Sequence, residues 1–221
     1  MHVTLNSIRK SLFGVVALSA LLAGGCGGSN PEPPKNAAPP TPASPTPSQP
    51  ATPTPSQPAP STVNKIAVIQ TSAGPVKIEL LASEAPRTVE NFRQLAERGL
   101  YNGTIFHRVI SGFMIQGGDP RGDGTGGQTA NGQPLPNEIN RASQLYQGGY
   151  KRGLVAMANR GTPETGTSQF FIMHQNYPLS PNYTVFGRVI EGMDVVDKIA
   201  TAPTSGERPV TPVTMRQVVV Q

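Results

Sequence analysis

The residues best suited to chemistry stand in FHRVISGFMIQGGD, residues 106 to 119. A charged pair, His107-Arg108, lies in an apolar run and is followed by Phe113-Met114, a single amide at Gln116 and then glycines. No evident nucleophile or general base stands beside them. The set offers a planar cation that keeps its charge, an apolar surface and an amide. What chemistry such a set could serve is not given by these residue types alone. Phe113 and Met114 alone would read as core; Arg108, Gln116 and the run SQFFI at 168–172 turn them towards a binding surface.

Other short motifs do not carry chemistry. GDGTGG at 122–127 lacks the Lys-Ser/Thr that completes a phosphate-binding loop. Asp119 and Asp123 are not spaced as calcium ligands, and a glycine-rich surface turn explains them. Histidines at 2, 107 and 174 make no metal cluster, and no cofactor is called for. Arg121-Gly122-Asp123 spells an adhesion tripeptide, a reading that the sequence does not favour.

Several elements must position the site. IAVIQTSAGPVKIELL (66–81) alternates apolar positions on both sides of Ala73-Gly74-Pro75, the pattern of a β-hairpin. PRTVENFRQLAERG (86–99) places Val89, Phe92 and Leu95-Ala96 at helical spacing, with Pro86 in the first turn and Gly99 as the stop. Short β-like runs follow at 104–110, 113–116, 154–158, 169–173 and 183–190. A second short helix is expected over Met193 to Ala200, and MRQVVVQ closes the chain as a strand. The pattern is mainly β, and a closed antiparallel barrel and a sandwich both satisfy it.

The remainder of the chain has another composition. Residues 31 to 60 hold 13 of the 24 prolines, no aromatic residue and only Glu32 and Lys35 as charges. Such a segment cannot bury enough apolar surface to offset its ordering entropy, so a disordered linker is expected over 26–62. PTPSQP recurs at 45–50 and 53–58, a spacer repeat. About 35 residues at roughly 3.1 Å each could reach on the order of 100 Å.

Ahead of it, a basic start and the apolar run SLFGVVALSALLAGG describe an export signal over 1–25, short for a membrane span. Ala23-Gly24-Gly25-Cys26 resembles the bacterial lipobox, in which the cysteine carries the lipid; Ala23 stands where Leu is commoner. Cys26 is the only cysteine, so no disulfide can form within the chain. The expectation is a lipid anchor at Cys26, a stalk, and a domain over 63–221 in the cell envelope. Gly27 after it resembles outer-membrane sorting in a diderm; in a monoderm the anchor would be the outer face of the plasma membrane. From residue 63 onward, 15 Lys/Arg face 12 Asp/Glu, scattered and without an aromatic platform, which argues against nucleic acid as a partner.

TVENFRQLAERGLYNGTIFHRVISGFMIQGGD, GTGG (124–127), GLVAMANRG (153–161), SQFFI (168–172) and VFGRVIEGMDVVDKI (185–199) together resemble the cyclophilin-type peptidyl-prolyl cis–trans isomerases, in the family's order. The resemblance implies an eight-stranded antiparallel β-barrel capped by two α-helices. It also implies isomerisation of X–Pro bonds in polypeptide clients, assisting folding without covalent chemistry or cofactor. Catalysis falls to Arg108 and His107, the arginine donating to the prolyl nitrogen and the histidine packing and orienting the site without moving a proton. Phe113, Met114, Phe171 and Leu179 correspond to the proline pocket. Gln116 and Asn159 correspond to groups that hold the peptide backbone. Ala158 and Gln169 line the groove, Gly124 and Thr125 border the next subsite, and Tyr183 stands where a histidine is common.

One departure concerns the rim. HQNYPLSPNYT (174–184) is one residue shorter than in well-known eukaryotic members, and Pro178 occupies the place of a tryptophan that supports cyclosporin binding. Weakened cyclosporin binding is therefore expected. A monomer is expected too. The same groove would also serve a membrane-tethered peptide-binding chaperone or assembly module whose turnover is incidental.

Overall fold

The computed structural model describes residues 65–162 and 165–221; the signal, Cys26 and the linker expected above lie outside the described residues. The chain opens with β1 (Ile66–Thr71) and β2 (Gly74–Leu80), an antiparallel pair in which Ile69 faces Val76 and Ala67 faces Ile78. These four side chains are buried, as their alternation requires. Helix α1 (Pro86–Glu97) starts at its proline and buries Val89, Phe92, Leu95 and Ala96. It ends in a Schellman motif: the Gly99 N–H donates to the Ala96 carbonyl and that of Leu100 to Leu95. Gly99 supplies the positive φ (73°) that this stop needs.

The remaining strands are β3 (Arg108–Ile110), β4 (Met114–Gly117), β5 (Leu154–Met157), β6 (Phe170–Met173), β7 (Val185–Glu191), the two-residue β8 (Thr204–Ser205) and β9 (Arg208–Pro209), and β10 (Met215–Val220). Helix α2 (Met193–Ala200) follows β7. Eight strands form one antiparallel sheet in the order β10-β1-β2-β7-β5-β6-β4-β3, and β8 pairs with β9 separately.

No ladder joins the end strands β3 and β10. The seam is crossed by single main-chain bonds from Gly103 N–H to Met215 O, Met215 N–H to Thr104 O and Phe106 N–H to Val213 O, with one bridge between Ile105 and Thr214. The run 104–110 therefore reads as one strand in sequence, yet only its last three residues join β4.

Side-chain alternation divides the apolar residues into two clusters. Val109, Ile115, Val155, Phe170 and Ile172 pack with α1 and α2 in the main core. Met114, Ala156, Phe171 and Met173 point to the other face, where Tyr146, Tyr150, Leu154 and Val185 cover them. Every residue of β5 and β6 is buried, because both faces of these strands are covered. This second cluster carries the site.

Candidate active site

Strand register builds the site. Arg108 on β3 pairs with Gln116 on β4, Gln116 with Phe171 on β6, and Phe171 with Ala156 on β5. At about 4.8 Å between strands, this row of outward side chains spans roughly 14 Å. Residues 63 apart in sequence thus stand in one line across the sheet. Met114 lies one step along, opposite Ile110 and Met173.

The apolar end of the row is aromatic. Phe113, at the exposed turn between β3 and β4, has its ring centroid 4.4 Å from that of Tyr177. Phe171 meets Tyr183 edge-on at 5.4 Å. The Tyr150 hydroxyl fixes Tyr183 by donating to its carbonyl (2.7 Å) and accepting from its N–H (3.0 Å). Leu179 and Phe113 pack partly buried against the same cluster. Pro178 is exposed, and the aromatic ring beside it at this rim is that of Tyr177.

Polar groups gather at the other end. Gln169 is buried; its Oε1 accepts from Gln116 Nε2 (2.9 Å), and its Nε2 donates to the carbonyls of Gly124 (3.0 Å) and Gly126 (2.8 Å). The loop it holds is also pinned by Asp119, fully buried, whose carboxylate accepts main-chain N–H groups from Arg121, Asp123, Gly124 and Gly126. The turn preceding this loop requires glycine at 118: φ is 81°, and a Cβ would lie 2.5 Å from the Ser168 carbonyl oxygen. Gln116, Gly124, Ala158, Asn159 and Gln169 line a recess of about 330 Å3 counted to its open mouth. The Asn159 side chain is used internally, donating to the Asn182 carbonyl and accepting from Gly161.

The two residues of the charged pair differ sharply. His107 is buried beneath the 124 loop: a Cβ on Gly124 would lie 3.5 Å from its Nε2. Its Nδ1 is buried and has no hydrogen-bond partner among the described residues. Burial holds its pKa below the ordinary value of 6.5, against the opposing pull of the Asp119 carboxylate, so it is neutral at pH 7. Arg108 stays part-exposed, and its head group is engaged. Nε donates to Glu207 Oε2 at 2.5 Å and Nη2 to Oε1 at 3.4 Å, which holds the Glu207 carboxyl below its usual range. Glu207 sits between β8 and β9, and its carbonyl accepts from the Val109 N–H (2.7 Å). The guanidinium thus keeps Nη1 unengaged by Glu207, and Gln116, opposite it in register, bonds instead to Gln169.

The profile of the family described as cyclophilin type peptidyl-prolyl cis-trans isomerase/CLD matches residues 66–220. The chain belongs to this family. It is 43% identical over 156 residues to the peptidyl-prolyl cis-trans isomerase CYP18-1 of Arabidopsis thaliana, covering 69% of this chain and 93% of that one. Against the peptidyl-prolyl cis-trans isomerase ppi1 of Schizosaccharomyces pombe it is 45% identical over 146 residues, covering 65% and 91%. A crystal structure of a Cryptosporidium parvum cyclophilin type isomerase superposes with a TM-score of 0.67 at 34% identity, over 72% of this chain and 98% of the other. The same Cryptosporidium protein in the presence of the dipeptide Ala-Pro gives a TM-score of 0.66.

Sequence reading missed three contributors. Glu207 lies 99 residues from Arg108, in a turn with no motif to announce it. Tyr177 could have been found as the one aromatic beside the missing tryptophan. Asp119 was legible as a turn residue, but its four acceptor bonds were not.

Proposed function

We propose that this cyclophilin isomerises X–Pro bonds in exported or envelope polypeptides, assisting their folding from a lipid anchor at Cys26. The observation that carries the isomerase reading is the register that aligns Arg108, Gln116 and Phe171, with Met114 and Phe113 beside them. The X–Pro bond rotates over a barrier of roughly 20 kcal/mol because amide resonance is lost at the top. A catalyst needs only to hold the twisted amide better than the planar one. Phe113, Met114, Phe171 and Leu179 form an apolar bed suited to a proline ring. Arg108 supplies the donor for the prolyl nitrogen, whose lone pair is freed on twisting, through the N–H groups that Glu207 leaves available. A charge-assisted hydrogen bond contributes about 1.5–3 kcal/mol. A 10⁴-fold acceleration, taken as illustration, needs about 5.5 kcal/mol, so exclusion of water and positioning supply the rest.

Gln169 and Asp119 keep the Gly124-Thr125 edge of the groove in place, and Ala158 and Asn159 line the same recess. Among the described residues Asn159 has no hydrogen bond on its main-chain N–H or carbonyl, which suits it to pair with an extended peptide. His107 acts by packing beneath this edge; a buried, neutral imidazole fits that role.

The anchor rests on Ala23-Gly24-Gly25-Cys26 and the proline-rich stalk behind it. Weakened cyclosporin binding is expected because Pro178 leaves no tryptophan at this rim. A second reading, a tethered module that holds proline-containing segments, draws on the Glu207 carboxylate occupying Arg108. Relaxation of an Ala-Pro peptide from cis to trans tests the first reading: acceleration supports it, and peptide binding without acceleration supports the second. Mass spectrometry of the Cys26 peptide from envelope fractions tests the anchor; an unmodified thiol would refute it.

A further inference from the structure

The turn that carries Phe113 is held by residues outside the groove. His174, at the end of β6 and only 7% exposed, contacts two successive residues of this turn, Gly112 and Phe113. Its main-chain N–H donates to the Phe113 carbonyl (2.8 Å), and its Nδ1 accepts from the Gly112 N–H (2.9 Å). An Nδ1 that accepts carries no proton, so the imidazole proton sits on Nε2, which faces Asp197 Oδ1 at 3.3 Å. Asp197, on α2, is in turn clamped by Arg152 through two bonds of 2.7 and 2.8 Å. Arg152 Nη1 also donates to the His174 carbonyl (2.6 Å), closing the circuit.

We propose that His174, Asp197 and Arg152 form a brace that positions Phe113 for peptide recognition. The proposal rests on the isomerase-site reading above. A structural pin for α2 would account for the Arg152–Asp197 pair alone, but not for the His174 side chain accepting from Gly112 next to Phe113 while its main chain holds the Phe113 carbonyl. Ser111 and Gly112 are exposed, and Gly112 has φ 80° with no atom near its missing Cβ. Apart from the brace, this turn is closed by the bond from Phe113 N–H to the Ile110 carbonyl (3.0 Å) and by a longer one from the Gln175 N–H to the Phe113 carbonyl (3.4 Å). Set free, the Phe113 ring would sample positions away from Tyr177 and lose its fixed place beside Phe171 and Met114. These are ground-state contacts, made alike with cis, trans and twisted proline, so the brace acts on binding and not on the barrier. All three are positioning residues; none touches the peptide.

The test compares His174→Ala, His174→Asn and Asp197→Asn in the full chain, measuring the Kd of an Ala-Pro peptide by NMR titration together with kcat and KM. Asn keeps an oxygen near the position of Nδ1 and loses the Nε2 contact. The expected result for His174→Ala is a Kd and KM raised about three- to ten-fold, the scale of one aromatic contact, with kcat within about two-fold. Faster exchange of the Gly112 amide should accompany it. His174→Asn should recover most of the affinity, and Asp197→Asn should fall between. Unchanged Kd in a folded His174→Ala protein, a fall in kcat at constant KM, or failure of Asn to recover affinity would each overturn the brace. Should His174→Ala not fold, Asp197→Asn decides: an unchanged Kd overturns the brace. A wild type that binds peptide without turnover would refute the isomerase reading, while the Kd ratios would still judge the brace.

Discussion

Replacing Asp119 by Asn leaves one acceptor oxygen where the 121–126 loop uses two. In the native protein Oδ1 accepts from the Arg121 N–H at 2.8 Å, and Oδ2 accepts from Gly124 at 2.6 Å, Asp123 at 3.2 Å and Gly126 at 3.3 Å. The best the amide can do is set its oxygen at the Oδ2 position. Its NH2 group then faces the Arg121 N–H, donor against donor. One bond is lost and the other three fall from charge-assisted to neutral. Asp119 is fully buried, so solvent does not soften the loss. With bonds to charged groups worth about 1.5–3 kcal/mol and neutral ones about 1, a net loss of about 3 kcal/mol is expected. For a domain of this size that lowers Tm by about 6–12 °C. The damage should also be local, because the Gly124 and Gly126 carbonyls are the acceptors of Gln169 at the groove. Thermal unfolding and amide exchange at Gly124 and Gly126 provide the measurement. A Tm within about 2 °C of wild type, with both amides still protected, would refute the claim that this carboxylate organises the groove edge.

Phe113→Ala should raise the KM for an Ala-Pro peptide well above that of wild type with a smaller change in kcat; unchanged peptide affinity would remove Phe113 from the pocket. Glu207→Gln should raise kcat/KM at low salt by no more than about five-fold, since an exposed ion pair is worth at most about 1 kcal/mol, and the gain should fade at high salt. A fall instead would show that Glu207 orients Arg108 and does not compete for it. His107 contributes a pH dependence. Its folded pKa lies below 6.5, so the unfolded chain binds the proton more readily, and stability is full above pH 6.5 and declines as pH falls below it. His107→Gln should flatten that decline between pH 6.5 and 5, where one proton accounts for at most about 1.4 kcal/mol per pH unit. Identical Tm profiles for both proteins would refute it.

The first hairpin and α1 were legible because each buries one face: alternation in Ala67, Ile69, Val76 and Ile78, and helical spacing from Val89 to Ala96. SQFFI was less legible as pattern, because β6 is covered on both sides and every residue is buried; only the resemblance separated Phe171 from Phe170. Helix α2 begins and ends where its spacing predicts. The pair β8–β9 was missed because two-residue strands leave no periodicity. The site's composition could be read from FHRVISGFMIQGGD, since β3 and β4 are neighbours in the chain as well as in the sheet. What could not be read was the partner of each polar group. Arg108 meets a carboxylate 99 residues away, and Gln116 bonds to Gln169 and not to the arginine opposite it; tertiary placement alone decides such choices.

The measurement that bears most directly on this account is the relaxation of an Ala-Pro peptide from cis to trans with the wild-type protein and with Arg108→Ala, alongside the peptide Kd of each. The account predicts clear acceleration by the wild type, loss of most of it in the variant, and a Kd changed far less than the rate. Acceleration that survives the substitution would contradict the role given to Arg108, and a wild type that binds the peptide without accelerating it would contradict the isomerase reading itself.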